Sequence, residues 1–257
     1  MRPAWTYALM PAAVLLAGLA IAAALWFALD DDGGDDTTAV ADAGGDGASE
    51  SRVETILSAF LRYAGETGID AGRFRECLGT PETSERINAH LQQGFSLGLN
   101  STPTFFINNK KVLGSQPAAV FDEIIAAELR GPPASAEGYS ETIRQLAAAG
   151  RFEIVNYRPD ITSAEIEGNR SARVVFAEFS DFQCPFCKRW NDQYLGTLRK
   201  RLGDGIAIAF LHFPLTQIHP NSGNASAAAV CAGEQDRFWQ MHDLLFAKQD
   251  EWKDLRP

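Results

Sequence analysis

The chain has 257 residues, of which 46% are hydrophobic, enough for one globular domain with accessory segments. Its formal net charge is -10, but seven Asp and one Glu without any Lys or Arg fall within residues 30–50, and the rest of the chain is close to neutral. This composition excludes a wholly disordered protein, and it gives no concentrated basic face of the kind that binds nucleic acid.

The N-terminal segment predicts a membrane anchor, because residues 8–29 contain no charged side chain. At about 1.5 Å per residue, a helix over this span reaches roughly 30 Å, the thickness of the hydrocarbon core of a bilayer. Arg2 precedes the span and Asp30 follows it, so the positive-inside rule places the N-terminus in the cytoplasm. We expect residues 1–29 to be a single-pass anchor in the inner (cytoplasmic) membrane, while small residues over 20–24 leave cleavage as a signal peptide open.

Residues 30–52 predict an acidic, flexible tether. They are rich in Asp, Gly, Ala and Thr, so their like charges repel one another and few apolar side chains are available to pack. We expect the domain that follows to lie on the periplasmic, extracytoplasmic side of the membrane.

Residues 53–130 predict helices around one β-hairpin. Apolar side chains recur at helical spacing in three stretches, which are 53–65, 80–93 and 117–129. Residues 104–107 form an apolar strand, Asn108-Asn109 is a turn dipeptide that tolerates positive φ, and residues 110–113 return as the second strand. A lone hairpin exposes its edges, so this segment needs further strands to complete a sheet.

Residues 131–172 are expected to be a linker. Gly131-Pro132-Pro133 interrupts the preceding helical pattern, a helix is predicted from Tyr139 to Ala149, and no clear pattern follows. Residues 173–257 then alternate, with strands at 174–179 and 206–213 and helices at 184–203 and 221–248. This order, beside the upstream hairpin, predicts an α/β sheet with a helical insertion.

The run Cys184-Pro185-Phe186-Cys187 predicts a redox centre at the start of a helix. The unpaired amides and the positive end of the helix dipole stabilise a thiolate on the first cysteine, which lowers its pKa below the free value of about 8.5. Two intervening residues let Cys187 reach Cys184 and resolve a mixed disulfide with a substrate. We therefore expect Cys184 to be the exposed attacking thiol and Cys187 the buried resolving thiol.

The alternative interpretation of a Cys-x-x-Cys motif is half of a zinc site, which needs two further ligands. Three candidate ligands are present in the chain, namely His212, His219 and Cys231. Their spacings match no compact second half of a zinc site, so we expect no metal and no organic cofactor, and structural roles for the two histidines.

Several separated runs of sequence closely resemble DsbA-like proteins of the thioredoxin superfamily. Residues 178–187, Glu-Phe-Ser-Asp-Phe-Gln-Cys-Pro-Phe-Cys, are similar to the active-site segment of that family, and residues 211–220 and 238–246 are similar to its later motifs. Residues 101–108, Ser-Thr-Pro-Thr-Phe-Phe-Ile-Asn, resemble the loop that bears a cis-proline opposite the redox pair. The resemblance implies a thioredoxin-like fold with a helical insertion.

The resemblance also implies roles for the residues around the redox pair. It implies a cis peptide bond before Pro103, which exposes the backbone of Thr102 for strand-like pairing with an extended substrate. The apolar side chains of Pro185 and Phe186 are expected to line the same substrate-binding site. Glu178 matches a buried acid that exchanges a proton with the resolving cysteine; the alternative is an exposed glutamate on an edge strand. Phe186 stands where many relatives have His, so we expect a milder oxidant.

The two matching halves stand in reversed order. Family members begin with the strand and helix of the redox pair and end with the cis-proline hairpin, whereas Pro103 precedes Cys184 by 81 residues here. Residues 53–130 supply the later half of such a domain and residues 173–257 the earlier half. Together they contain each part of one complete domain once, and the linker joins them. The order predicts circular permutation; a truncated tandem of two domains and a reciprocal dimer are the alternatives.

Two further cysteines, Cys77 and Cys231, lie on segments that the resemblance places in the helical insertion, where many relatives carry a second cysteine pair. The resemblance therefore implies a structural disulfide between them, with two buried free thiols as the alternative. Such a bond within one chain favours permutation over an arrangement of two chains.

Taken together, these features predict an extracytoplasmic thiol-disulfide oxidoreductase. The expected substrates are unfolded or cysteine-containing exported proteins, and the resemblance implies a redox partner in the membrane. The alternative is a non-catalytic thioredoxin-like module that holds peptides in the same groove, with a static disulfide between Cys184 and Cys187.

Overall fold

A computed structural model describes residues 54–256 of the chain, apart from the side chain of Asp204. The anchor predicted for residues 1–29 and the tether predicted for residues 30–52 lie outside the described residues. Within the described range, no helix is both long enough and apolar enough to cross a membrane.

In the described part of the chain, six strands form one mixed sheet. They are β1 (Thr104–Ile107), β2 (Lys110–Leu113), β3 (Phe152–Ile154), β4 (Glu165–Gly168), β5 (Val174–Ser180) and β6 (Ile206–His212). Across the sheet their order is β3-β2-β1-β5-β6-β4, and β5 and β6 run parallel while the other neighbours are antiparallel. With the helices that surround the sheet, the fold belongs to the α/β class that the sequence predicts.

The helices begin and end close to the predicted positions. In chain order they are α1 (Ile56–Glu66), α2 (Ala71–Leu78), α3 (Pro81–Ser96), α4 (Ala118–Arg130), α5 (Glu141–Ala148), α6 (Pro185–Trp190), α7 (Gly196–Arg199), α8 (Ser222–Gly233), α9 (Phe238–Ala247) and α10 (Gln249–Trp252). One π-helical turn, Asn191–Leu195, connects α6 to α7. The helix α2 is not predicted from the sequence, because Phe74 is its only fully buried side chain and one position gives no repeat.

The pairing of β1 with β5 joins the two halves of the chain. β1 lies antiparallel to β5, with Thr104 opposite Phe179 and Phe105 opposite Glu178. β5 then pairs in parallel with β6. Nearly every residue of these three strands is buried, as expected for central strands that are covered on both faces. The upstream hairpin and the downstream strands therefore belong to one sheet within one chain.

Residues 131–172 are more than the linker with one helix that the sequence predicts. They contribute α5, β3 and β4, and because β3 pairs with β2 and β4 with β6, both edges of the sheet come from this segment. Phe152 of β3 is buried against Tyr139, with the two ring centres 5.3 Å apart. The prediction was wrong because edge strands of three and four residues have too few buried positions to show an alternating pattern.

Two hydrophobic clusters organise the interior. In the first, the sheet packs on α4, α5 and α6, and Phe176 of β5 stacks on Trp190 of α6 with ring centres 5.4 Å apart. The second cluster is the helical insertion, in which α1 and α2 pack against α8 and α9. Phe182, Cys184 and Cys187 belong to this second cluster. Helices from both ends of the described range therefore support the redox motif.

Two links tie the upstream and downstream parts of the helical insertion together. A disulfide joins Cys77 of α2 to Cys231 of α8, as the family resemblance implies. In addition, Thr55 and Arg256 form a parallel β-bridge, and the amide of Ile56 donates to the carbonyl oxygen of Arg256 at 2.9 Å. The two ends of the described range are therefore neighbours in space.

Two helical glycines give a test of how tightly α3 packs beside the sheet. A Cβ at Gly94 of α3 would overlap the ring of Phe213, which Phe95 and Phe179 also contact, whereas a Cβ at Gly65 of α1 would meet nothing within 4 Å. We expect Gly94→Ala to lower the free energy of unfolding by about 1 to 3 kcal/mol through overpacking.

The matched control, Gly65→Ala, should instead raise the free energy of unfolding by about 0.5 to 1 kcal/mol, because alanine favours a helix more than glycine does. Urea denaturation of the two variants measures both values. Equal effects of the two substitutions would contradict the close contact between α3 and Phe213.

Candidate active site

Cys184 is the residue that precedes α6, and Pro185 occupies the first helical position. Only 3% of Cys184 is exposed, so the expectation of an exposed attacking thiol is wrong. Its Sγ donates to the carbonyl oxygen of Thr102 at 3.5 Å, and the residue packs within the helical insertion. The loop that carries Pro103 therefore covers the thiol from one side, whereas Pro185 and Phe186 beside it are exposed.

The two thiols of the motif are free, and they differ strongly in acidity. A hydrogen bond with the Cys187 thiol lowers the pKa of Cys184 to about 6, and the amides of Phe186 and Cys187 act in the same direction against the effect of burial. Cys187 is fully buried, and this burial raises the pKa of its thiol well above the ordinary value. When one proton leaves the pair, the resulting charge therefore belongs to Cys184.

Glu178 is a buried acid on the central strand β5, so the alternative of an exposed glutamate on an edge strand is wrong. Side chains alternate along a strand, which places Glu178 on the same face as Phe176, the face on which α6 packs. Among the described residues, Oε1 of Glu178 has no hydrogen-bond partner. Burial raises the pKa of Glu178 to about 8, and a charge on Cys184 adds to the rise.

The bond between Thr102 and Pro103 is cis, as the family resemblance implies. The carbonyl oxygen of Pro103 accepts a hydrogen bond from the amide of Gly114 at 2.8 Å, which fixes the loop to the end of the hairpin. The loop leads directly into β1, and β1 pairs with β5, the strand that precedes Cys184. The structure thus brings together Thr102, Pro103, Glu178 and both cysteines of the motif.

Asp181, which sequence reasoning did not single out, holds the loop between β5 and Cys184. It is wholly buried, and its carboxylate accepts from the amides of Gln183 at 2.8 Å and Leu215 at 2.9 Å and from Nδ1 of His219 at 2.8 Å. Its carbonyl oxygen accepts from the amide of Cys184 at 3.1 Å. The sequence signal is an Asp directly after a strand and two residues before Gln183, which is the spacing of an Asx-turn.

Three buried amide side chains attach the same loop to the helical insertion. Nε2 of Gln249 donates to the carbonyl oxygens of Phe182 at 2.7 Å and Cys184 at 3.3 Å. Oε1 of Gln183 accepts from the amide of Asn221 at 2.7 Å, and Nδ2 of Asn221 donates to the carbonyl oxygens of residues 253 and 255. The redox loop is therefore held by long-range hydrogen bonds that no local motif reveals.

The histidines and Cys231 that could have completed a zinc site lie in separate surroundings. Cys231 is bonded to Cys77, and His212 is fully buried and stacks on His90 with ring centres 5.6 Å apart. Burial lowers the pKa of His212 well below its ordinary value. Within residues 54–256, no three or more His, Cys, Asp or Glu side chains are grouped as a metal ion requires.

The raised pKa of Glu178 makes the stability of the protein depend on pH. The folded state keeps the carboxyl proton up to about pH 8, whereas the unfolded chain releases it near the ordinary pKa of 4.5. Below pH 4.5 the carboxyl group is protonated in both states, so burying it does not reduce the free energy of unfolding. As the pH rises from 4.5 to about 8, the free energy of unfolding falls, because only the unfolded chain releases the proton.

We expect Glu178→Gln to remove this dependence. The difference in unfolding free energy between variant and wild type should grow in favour of the variant by up to about 5 kcal/mol over that pH range, since one pKa unit corresponds to about 1.4 kcal/mol and the pKa of Glu178 rises from 4.5 to about 8. Urea denaturation at a series of pH values measures the difference. Parallel curves for the two proteins would show that Glu178 titrates normally.

Comparisons with known proteins divide the chain in the same way as the sequence patterns do. A family model described as DSBA-like thioredoxin domain matches residues 49–126. A thioredoxin family model matches residues 163–256. The two matches include the cis-proline loop and the redox motif respectively.

Curated relatives share about a third of the chain each. The Na(+)/H(+) antiporter NhaA 3 of Salinispora tropica is 43% identical over 94 residues, which are 36% of this chain and 13% of the antiporter. An antiporter named NhaA 1 in Mycolicibacterium gilvum is 37% identical over 92 residues, or 15% of its length. Probable disulfide bond formation protein D of Bacillus anthracis is 31% identical over 91 residues, which are 33% of this chain and 42% of that protein. The two family matches and this relative therefore show that separate parts of the chain, each about a third of its length, are similar to DsbA-like proteins of the thioredoxin superfamily.

Proposed function

We propose that this protein is a thiol-disulfide oxidoreductase that exchanges disulfides with cysteine-containing exported proteins through Cys184 and Cys187. One observation carries the proposal: the acidic thiol of Cys184 lies 3.5 Å from the carbonyl oxygen of Thr102, next to the cis bond of Pro103, with Cys187 buried behind it. A low pKa makes Cys184 both a good nucleophile near neutral pH and a good leaving group.

In the oxidising direction, a substrate thiolate attacks Sγ of Cys184 in the Cys184–Cys187 disulfide. A mixed disulfide forms, and Cys187 leaves as a thiolate, which takes a proton because its pKa is high. A second substrate thiolate then attacks the substrate sulfur of the mixed disulfide, and Cys184 leaves as a stabilised thiolate. The substrate gains a disulfide and loses two electrons, and the protein becomes a dithiol; the reverse sequence reduces a substrate.

The proton for Cys187 is assigned to Glu178 in this proposal. The Glu178 carboxyl is protonated near neutral pH, and it lies on the face of β5 against which α6, the helix of Cys187, packs. It can therefore give its proton to a leaving Cys187 thiolate and take it back when Cys187 becomes the attacking group. The missing hydrogen-bond partner of Oε1 is consistent with a carboxyl kept ready for proton transfer rather than fixed in an ion pair.

The substrate is proposed to bind as an extended backbone segment at Thr102 and Pro103, with Pro185 and Phe186 as an apolar contact. Phe186 is 50% exposed and offers no hydrogen-bond donor from its side chain to a Cys184 thiolate. A site without that donor stabilises the dithiol form less than a site with an added His, and we therefore propose a milder oxidant than DsbA.

For its location, we propose the periplasmic side of the inner membrane, with residues 1–29 as the anchor and 30–52 as the tether. The support is the uncharged span over 8–29 and the charge difference across it. A membrane redox partner would recycle the cysteine pair. The antiporter of Salinispora tropica is similar to this chain over only 13% of its own length. Similarity over so small a part gives no reason to propose ion transport.

We further propose that the domain is a circular permutation of the family's usual order. Three observations support this: β1 pairs with β5 in the same chain, Cys77 bonds Cys231, and Thr55 forms a β-bridge with Arg256. In a permuted domain, residues that are consecutive in the usual order lie close together in space, as Thr55 and Arg256 do here. A truncated tandem would leave the sheet edge of each half unpaired.

A rejoined chain tests the permutation. Arg256 is connected to Thr55 by a short Gly-Ser linker, and new termini are opened between β3 and β4. We expect a monomer with an intact Cys77–Cys231 bond and the same cooperative unfolding as the original order. Sedimentation and non-reducing peptide mapping check this. A reciprocal dimer of the original chain, with Cys77–Cys231 bonds between chains, would contradict the permutation.

Turnover of insulin disulfides with a thiol reductant, and refolding of a reduced substrate, test the activity itself. We expect Cys184→Ser to reduce both rates to the uncatalysed background, and Cys187→Ser to accumulate a mixed disulfide with the substrate at Cys184. The Cys77→Ser/Cys231→Ser variant is the control, since it removes a disulfide outside the redox site. Equal activity of wild type and Cys184→Ser would favour the alternative, a peptide-binding module without catalysis.

A further inference from the structure

The loop between β6 and α8 carries a histidine into contact with the redox loop. Nδ1 of His219 lies 2.8 Å from Oδ2 of Asp181. The backbone carbonyl of the same Asp181 accepts the amide of Cys184 at 3.1 Å. Asp181 is therefore bonded through its side chain to His219 and through its backbone to the first cysteine of the motif.

A buried carboxylate at this position creates an electrostatic problem. Asp181 is wholly buried. Its carboxylate accepts hydrogen bonds from the backbone amides of Gln183 and Leu215, which are dipoles without net charge. Its negative charge would oppose a second negative charge on Cys184, because like charges in a buried site disfavour each other. Among the three groups that donate to the Asp181 carboxylate, only His219 can carry a compensating positive charge.

We propose that His219 is a positioning residue of the redox site: as an imidazolium it balances the charge of Asp181, and this allows Cys184 to become a thiolate. The inference rests on the function proposed above, because it concerns the thiol that exchanges disulfides. When His219 loses its proton, the uncompensated Asp181 carboxylate raises the pKa of Cys184. Protonation of His219 and ionisation of Cys184 thus support each other.

The surroundings of His219 leave Asp181 and Cys184 as the groups that decide its charge. The loop 214–221 contains no other titratable residue, and α8, which follows, contains only the disulfide-bonded Cys231. On the segment that binds Asn221, Lys253 pairs with Asp250. The hydrogen bond to Asp181 raises the pKa of His219 against the effect of burial, and a charge on Cys184 raises it further.

Access to solvent distinguishes His219 from a second histidine with the same kind of partner. The side chain of His219 is 16% exposed, so it can exchange protons with water. His242 also bonds an aspartate, with Nδ1 2.8 Å from Oδ1 of Asp243, but its side chain is 1% exposed and burial lowers its pKa. His242 therefore provides a control for the loss of a histidine-aspartate hydrogen bond away from Cys184.

The direct test is His219→Asn in the full chain, because Nδ2 of asparagine can still donate to Asp181 but cannot carry a charge. The rate of alkylation of Cys184, followed by peptide mass against pH, reports its thiolate fraction separately from the other cysteines. At a pH near the wild-type pKa, we expect the thiolate-to-thiol ratio to fall about three- to tenfold, the size of a moderately screened charge interaction. The His242→Asn control should leave this ratio unchanged.

A second measurement needs no substitution. The ring of His219 is titrated by NMR in the dithiol form and in the Cys184–Cys187 disulfide form. Because linkage is reciprocal, the pKa of His219 should be higher in the dithiol form, where Cys184 carries a charge, than in the disulfide form, where it carries none. This measurement decides the question if His219→Asn fails to fold.

Two results would overturn the proposal: a folded His219→Asn variant with the Cys184 titration of the wild type, or a His219 pKa that is the same in both redox forms. Neither titration needs a substrate. Coupling between His219 and Cys184 in a protein without exchange activity would therefore refute the proposed function and leave the inference standing. Exchange activity without coupling would refute the inference alone.

Discussion

The antiparallel pairing of β1 with β5 is the contact on which the candidate site depends. β1 follows the cis-proline loop and β5 precedes the redox loop, so that their register, with Thr104 opposite Phe179, fixes the distance between Thr102 and Cys184. Both strands are buried in the middle of the sheet, where a slip of one residue would move every side chain to the opposite face. The hydrophobic pattern of two strands thus sets the geometry of a polar site whose parts, Thr102 and Cys184, lie 82 residues apart in the chain.

The site contains two buried carboxyl groups that differ in their surroundings. Asp181 accepts three hydrogen bonds from Gln183, Leu215 and His219, which suit an ionised group. Oε1 of Glu178, by contrast, has no partner among the described residues, and burial keeps that acid protonated to about pH 8. The two carboxyl groups thus differ in hydrogen bonding: that of Asp181 is surrounded by donors, whereas Oε1 of Glu178 has none among the described residues.

The helical insertion supports the redox loop from behind, although its helices come from both ends of the described range. The Cys77–Cys231 disulfide and the bridge between Thr55 and Arg256 hold the two groups of helices together. Buried amides such as that of Gln249 then attach this insertion to the loop of Cys184. The proposed permutation changes the order of the elements along the chain, but each element still finds its neighbour, because packing depends on contacts in space and not on chain order.

Local signals in the sequence determined the redox motif at the start of a helix, the turn at Asn108, which has a φ of 54°, and the helices α1, α3 and α4. Each depends on residues a few positions apart, which a single sequence displays. The covering of Cys184 by the cis-proline loop, the edge strands β3 and β4, and the partners of Asp181 were decided only by the tertiary structure. These features depend on contacts between distant residues, such as His219 with Asp181, and no periodic pattern or motif records which distant groups will meet.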